Sequence, residues 1–298
     1  MKNILFSSII LLTFCSTIQA KQVPKANYKV AVFIYQGVEL LDFAGPLEVF
    51  SNTTGFEVFT VAPKAETIVA MNKNIKFIPN YAIADCPQPD IIVFPGANME
   101  GLMPIYNDTT VIKWIKEVHK TTTYTMSVCT GAAFLSKASI LDGHTATTHW
   151  GAISNLQTIT PKAKIVSDKR FVEDGKILTT AGVSAGLDGA LHLVKILRGQ
   201  AEAVKVSENI EYDKWNPDAG LVIGQEKTTN ATTPVAQSAP TKTTKDEPLK
   251  ADATDPVCGM LLSKGHTLTT THKEQQIGFC SDACKSRFLN NPNKYVGK

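Results

Sequence analysis

Between residues 28 and 222, short apolar runs alternate with stretches of helical spacing, and few folds accept that alternation. Tyr28-Lys-Val-Ala-Val-Phe-Ile-Tyr35 and Asp90-Ile-Ile-Val-Phe-Pro-Gly96 are nearly continuous in apolar residues. A strand exposed on one side would alternate apolar with polar, so such runs suit strands buried on both faces. Further strands are predicted at 56–62, 124–128, 145–148, 163–166, 171–172 and 177–180. Helical spacing is read at 38–51, 109–120, 131–139, 186–198 and 201–210. Strand and helix in alternation predict an α/β sandwich, with a mostly parallel sheet covered on both faces. Sites in such folds gather at the carboxyl ends of the strands. Gly37, Gly96 and Cys129 all fall at predicted strand ends.

The flanking segments differ in texture. Residues 1–20 have a positive start at Lys2, an apolar core at 4–14 and small residues before position 21, which predicts a cleaved secretory signal. The apolar core is too short to span a bilayer, so no stable membrane insertion is expected. From 223 to 253, Thr, Lys, Pro, Ala and Ser dominate and aromatics vanish, predicting a flexible linker between a large unit at 27–222 and a small one at 254–298. The net charge of +3 forms no basic stripe, which argues against nucleic-acid binding. Removing 1–20 leaves five of the six cysteines, at 86, 129, 258, 280 and 284. An odd number in an oxidising compartment leaves at least one thiol outside any intramolecular disulfide.

Cys129 is the leading candidate for chemistry. It follows the run Tyr124–Val128 and precedes Thr130-Gly-Ala-Ala, where small residues let a helix begin hard against the end of a strand. A sulfur at such a turn faces backbone amides and the positive end of a helix, which favours thiolate. A buried structural cysteine is the alternative. Three other segments can converge on it. Asp42 lies after a strand-end turn, where an acid can reach over the sheet edge or serve a helix start. The turn amides of Phe94-Pro-Gly96-Ala97 are candidate donors to a developing negative charge. His149 closes Thr147-Thr-His149-Trp150.

Leu41-Asp42-Phe-Ala-Gly-Pro46, Phe94-Pro-Gly96, Val128-Cys129-Thr130-Gly131, Ala146-Thr-Thr-His149-Trp150 and Thr179-Thr-Ala-Gly-Val-Ser-Ala-Gly-Leu-Asp188 together resemble the ThiJ/PfpI family of the class I glutamine amidotransferase-like superfamily. The branch of isonitrile hydratases and of sensor-like domains in transcription regulators is the most similar. The resemblance implies a flavodoxin-like three-layer sandwich, a nucleophile at Cys129, an acid at Asp42, and Thr130 and His149 beside the sulfur. It implies no cofactor for this unit, a small-molecule electrophile as its substrate and a homodimer. The family's Gly-Gly after the proline is Gly96-Ala97 here, which keeps the amides but narrows the approach. A carboxylate beside a thiol opposes thiolate, so Asp42 would serve best protonated or sharing a proton with the sulfur.

The small unit carries Cys258, Cys280 and Cys284. Two cysteines four apart at a helix start project from one face, and a Cys-Gly turn can add a third sulfur. Thiolates select soft or borderline ions such as Cu(I) or Zn(II); a disulfide from Cys258 to one of the others is the alternative. With Asn291-Pro292 and Tyr295 after the helix, residues 255–295 resemble a YHS domain, a family associated with heavy-metal handling. Two readings of the whole chain follow: an exported Cys-dependent hydratase or hydrolase with a metal-binding tail, or a non-enzymatic periplasmic metal-binding or redox protein that uses the large unit as scaffold or sensor.

Overall fold

The computed structural model describes residues 25–212, 215–224, 247–257, 260–273, 275–280, 282–290, 292 and 295. The predicted signal, Cys258 and residues 225–246 of the predicted linker lie outside the described residues. The large unit is built on eight strands: β1 (Tyr28–Phe33), β2 (Phe56–Ala62), β3 (Tyr81–Ala82), β4 (Ile91–Phe94), β5 (Tyr124–Val128), β6 (Phe171–Asp174), β7 (Ile177–Thr180) and β8 (Leu221–Val222). They lie in the order β8-β6-β7-β5-β4-β1-β2-β3. Every pair is parallel except β6–β7, whose tight hairpin turns the chain back at the edge. Helices α1 (Leu40–Ser51), α6 (Ala185–Arg198) and α7 (Gln200–Asn209) pack together, and α2 (Met99–Asn107), α3 (Thr109–Thr121), α4 (Ala132–Lys137) and α5 (Ile153–Ile159) form a second layer. The result is the flavodoxin-like three-layer sandwich.

The apolar runs explain the layering. All four residues of β4 and all four of β7 are buried, as are five of the six in β1. Each such side chain removed from water contributes roughly 1.5–3 kcal/mol, which only a sheet covered on both faces can supply. The helix read over 38–51 begins at Leu40, because Val38 bridges to Ala97 instead. The one read over 131–139 is a 3-10 turn at Cys129–Gly131 followed by α4. The strand read at 145–148 is confined to Thr145–Ala146, paired with Lys164–Ile165. Helices α2 and α5 were not anticipated; prolines and polar residues dilute their spacing, and Asn98 starts α2 by accepting from the Gly101 amide.

The C-terminal unit has a hairpin at Thr269–His272 and Gln275–Gly278, a short pairing of Ala253–Thr254 with Leu261–Leu262, and α8 (Asp282–Asn290). Its small core holds Phe279, Cys284 and Phe288. Residues 247–253, read as linker, pack on this unit instead. Leu249 is buried and exchanges backbone hydrogen bonds with the 265–266 turn, and Thr269 donates its hydroxyl to the Glu247 carbonyl. A lone leucine in a Thr/Lys-rich stretch gave no sign of this. Among the described residues no helix is long and apolar enough to cross a membrane.

Candidate functional site

The carboxyl ends of β4, β5 and β7 meet at Cys129. Its φ of 58° is left-handed, a conformation most side chains avoid, and it lifts the sulfur out of the strand direction at the tip of a sharp turn. Gly131 makes the turn sterically possible. A Cβ there would sit 2.0 Å from the Phe94 carbonyl oxygen, so only glycine lets this turn press against β4. Gly96 is similarly confined, since a Cβ would lie 2.7 Å from the Thr130 amide nitrogen. Cys129 is itself anchored at both ends, its N–H donating to Ala181 O at 3.1 Å and its carbonyl accepting the Thr148 hydroxyl at 2.6 Å.

Asp42, in the first turn of α1, is fully buried against this elbow. Its Oδ2 accepts the Gly96 N–H at 2.9 Å and its Oδ1 accepts the Val183 N–H at 2.9 Å. Asp42 also shares a hydrogen bond with the Cys129 thiol. Burial pushes the Asp42 carboxyl up to about 6; the two amides and the thiol pull it partly back, and Glu39 adds to the rise. Burial, then the Asp42 charge, drives the Cys129 thiol far above its ordinary range, while the Thr130 N–H opposes that rise. The expected thiolate preference is therefore reversed while Asp42 is ionised: desolvation and a like charge outweigh the turn amides. The pair holds one proton between carboxyl and sulfur and titrates as a unit.

The roles expected of the neighbours change accordingly. The Gly96 amide holds Asp42, and the Ala97 amide is taken by the Thr130 hydroxyl at 3.0 Å, so neither faces an incoming oxyanion. Thr130 returns its own hydrogen to Ala97 O at 2.8 Å and so ties the elbow to the β4 turn. His149 reaches the site: a Cβ on Gly182 would lie 2.3 Å from its Cδ2 and 3.3 Å from the Cys129 sulfur, so ring edge and thiol face each other across that glycine. Its Nδ1 accepts from Gly151 N–H at 3.2 Å. A cleft of about 370 Å³ opens beside Thr130, lined by Leu102, Met103, Tyr106, Ala133 and Leu156 among others.

Val183 was not singled out from the sequence. It is β-branched yet has φ 55°, a costly conformation on the order of 1–3 kcal/mol, and this aims its amide at Asp42. Its loop is held from the other side by Arg170, whose Nε donates to Asp188 at 2.6 Å and whose guanidinium reaches the Ser184 hydroxyl.

In the C-terminal unit, Cys280 and Cys284 have sulfurs 3.6 Å apart, joined by a thiol–thiol hydrogen bond and not by a disulfide. Asp255 joins them, and one donor atom from each of the three lies within 4.8 Å of the others. Asp255 takes the Cys280 N–H at 2.8 Å and the Val257 N–H at 2.8 Å. Burial alone would raise its carboxyl, but these amides and the two thiols hold it below the ordinary value. Two thiols and an ionised carboxylate, hydrogen-bonded into position, fit a borderline cation such as Zn(II). Asp255 is a donor the sequence reading did not include, although it opens the same Asp-Pro-Val-Cys segment. His266 is unavailable to that site: its Nε2 bonds the Phe279 carbonyl at 2.6 Å.

Comparison with known proteins agrees with this division. The DJ-1/PfpI family model matches residues 28–196, and the YHS domain model matches 253–298. An isonitrile hydratase of Pseudomonas putida is 31% identical over 196 residues, covering 64% of this chain and 83% of that protein. The HTH-type transcriptional regulator CdhR of Pseudomonas aeruginosa is 30% identical over 126 residues, and the match spans 42% of this chain and 37% of the regulator. The crystal structure of a ThiJ/PfpI family protein from Pseudomonas syringae superposes with a TM-score of 0.60 at 26% identity, covering 70% of this chain and 84% of that one.

Proposed function

Because the chain belongs to the DJ-1/PfpI family and carries a YHS domain at its C-terminal end, we propose that it is an exported, Cys129-dependent hydratase of small electrophiles of the isonitrile type. The observation that carries this reading is the Asp42–Cys129 pair: one proton shared by a buried carboxyl and a sulfur at a left-handed turn. The Pseudomonas putida relative gives the substrate class.

An isonitrile carbon needs both a nucleophile and a proton. The Cys129 sulfur forms a bond to the terminal carbon while the shared proton passes through Asp42 to that carbon, giving a thioimidate. Asp42, now a carboxylate, takes a proton from water as the water oxygen adds to the same carbon. Asp42 passes that proton to the nitrogen. The C–S bond of the tetrahedral adduct then breaks as the added hydroxyl becomes the carbonyl and its hydrogen goes to the sulfur, so that an N-substituted formamide leaves and the thiol is restored. Net addition is one water. A buried acid near pH 6 is matched to this double duty, because it can give and regain a proton near neutrality. The apolar cleft beside Thr130 accommodates the substituent on nitrogen, and His149 faces the sulfur across Gly182. The C-terminal unit binds a soft or borderline metal through Asp255, Cys280 and Cys284, with Cu(I) and Zn(II) as candidates. Residues 1–20 direct the protein to the periplasm or beyond, where this chemistry takes place.

Hydration of a small alkyl isonitrile, followed by formamide release, is the direct test. Cys129→Ala is expected to retain the fold and lose turnover by about four orders of magnitude or more. Undiminished hydration by that variant would sink the proposal. If the wild-type chain turned over no isonitrile while binding metal stoichiometrically, the large unit would be a scaffold or redox sensor, as its partial likeness to a transcriptional regulator allows.

A further inference from the structure

Among the described residues, one contact between the two units is made by an aromatic ring of the large domain. Trp150 packs against the small core formed by Phe279, Cys284 and Phe288, alongside Val257, Leu268 and Tyr295. Trp150 is not a remote surface residue. It follows His149 directly, the two rings lie 5.3 Å apart, and the 3-10 turn that Trp150 opens is capped by His149. His149 in turn faces the Cys129 sulfur across Gly182. On the other side of the contact, the docking core and the metal-ligating group are carried by the same segments. Phe279 adjoins Cys280 in sequence. Cys284 and Phe288 are one helical turn apart on α8, and Phe279 and Phe288 rings meet at 5.3 Å. Asp255 ties both together through the Cys280 and Val257 amides.

We propose that the C-terminal unit is a metal-set cap on the Cys129 site, docked through Trp150. An ion held by Asp255, Cys280 and Cys284 fixes the start of α8 and the Phe279–Cys280 segment, which is the surface that receives Trp150. A small domain gains order when a metal binds, because binding energy is folding energy. With the receiving surface ordered, Trp150 is held, the His149 ring stays over the sulfur and access to Cys129 narrows. Loss of the ion loosens the cap and opens the site. This rests on the metal-binding reading of the C-terminal unit, and the experiment separates failure of the two.

The full-length mature protein is loaded with one equivalent of Zn(II), free metal is removed, and bound zinc is measured. Iodoacetamide modification of Cys129 is then followed on its own proteolytic peptide. Zinc is expected to bind one ion per chain and slow Cys129 modification about tenfold. A Cys280→Ser/Cys284→Ser variant should neither bind zinc nor show the slowing. Trp150→Ala should still bind zinc and lose the slowing, whereas Trp150→Phe should keep most of it. No zinc bound by the wild type means that the metal-binding reading fails and the cap with it. Zinc bound with an unchanged Cys129 rate overturns the cap alone. Slowing that survives in the double serine variant or in Trp150→Ala also overturns it, because the metal would then act on Cys129 directly or without the docked unit.

Discussion

The molecule holds its thiols in two opposed ways. Cys129 is enclosed by a large core and set beside a buried carboxyl with which it shares a proton. Cys280 and Cys284 stand 3.6 Å apart in a core of a few residues, next to a carboxylate that backbone amides keep ionised. Asp42 and Asp255 each accept two amide hydrogens, yet one is pushed up and the other held down. Both carboxyls are buried, and the difference lies in their partners. At Asp42 desolvation and the Glu39 charge exceed what two amides and one thiol return, whereas at Asp255 two amides and two thiols together outweigh desolvation. A carboxyl that can give and regain a proton near neutrality suits bond making, whereas one held ionised suits a cation.

That contrast breaks most visibly if the small unit loses its sulfurs. Cys280→Ser/Cys284→Ser is expected to weaken Zn(II) binding by roughly 10⁴-fold or more, with no change in the thermal unfolding of the large unit; competition with a chromophoric chelator measures the first and calorimetry the second. Asp42→Asn strikes the other half. Isonitrile turnover should fall about a thousandfold, yet alkylation of Cys129 should speed up several-fold, since the neutral amide no longer opposes thiolate. A thiol that became slower would contradict the shared-proton arrangement.

The pH dependence of stability sharpens the same point. Asp42 titrates near 6 in the folded chain and near 3.8 when unfolded, so between these values the folded state binds the extra proton. Stability contributed by this group is present below the unfolded value and is lost as pH rises towards 6. The change is about 3 kcal/mol. Urea unfolding at pH 4 and pH 7 should show most of that fall, about 2 kcal/mol, in the wild type relative to Asp42→Asn. The smallest effect is expected at Val183. Val183→Gly relieves the left-handed strain but adds freedom to the unfolded chain, so stability should shift by no more than about 1 kcal/mol with turnover unchanged, because only the backbone N–H at 183 is used. A large loss of activity would show that the side chain matters as well.

The sequence carried the sheet because β1 and β4 have apolar runs that no half-exposed strand would have. It carried the position of Cys129 because strand, cysteine, glycine and alanines sit consecutively. It did not carry what the neighbouring amides do, since Gly96 serves Asp42 only through a fold that brings residues 42 and 96 together. Nor did it carry Val183, whose contribution is a backbone direction invisible in its side chain. Asp255 went unread because aspartate before proline is a common turn residue; its Val257 amide contact is such a local turn, and the Cys280 amide reaches it only when that segment folds back. Leu249 lay in a stretch whose composition otherwise signals a linker.

The contact of Gly131 with the Phe94 carbonyl has a dynamic consequence. With no space for even one methyl group between them, the elbow cannot swing independently of β4, and close-packed interiors shift as blocks rather than bend. The sulfur and its acid therefore form a stationary frame on the timescale of turnover. Any gating has to come from parts outside that frame, and the turn at Trp150–Ala152, capped by His149, is one such part.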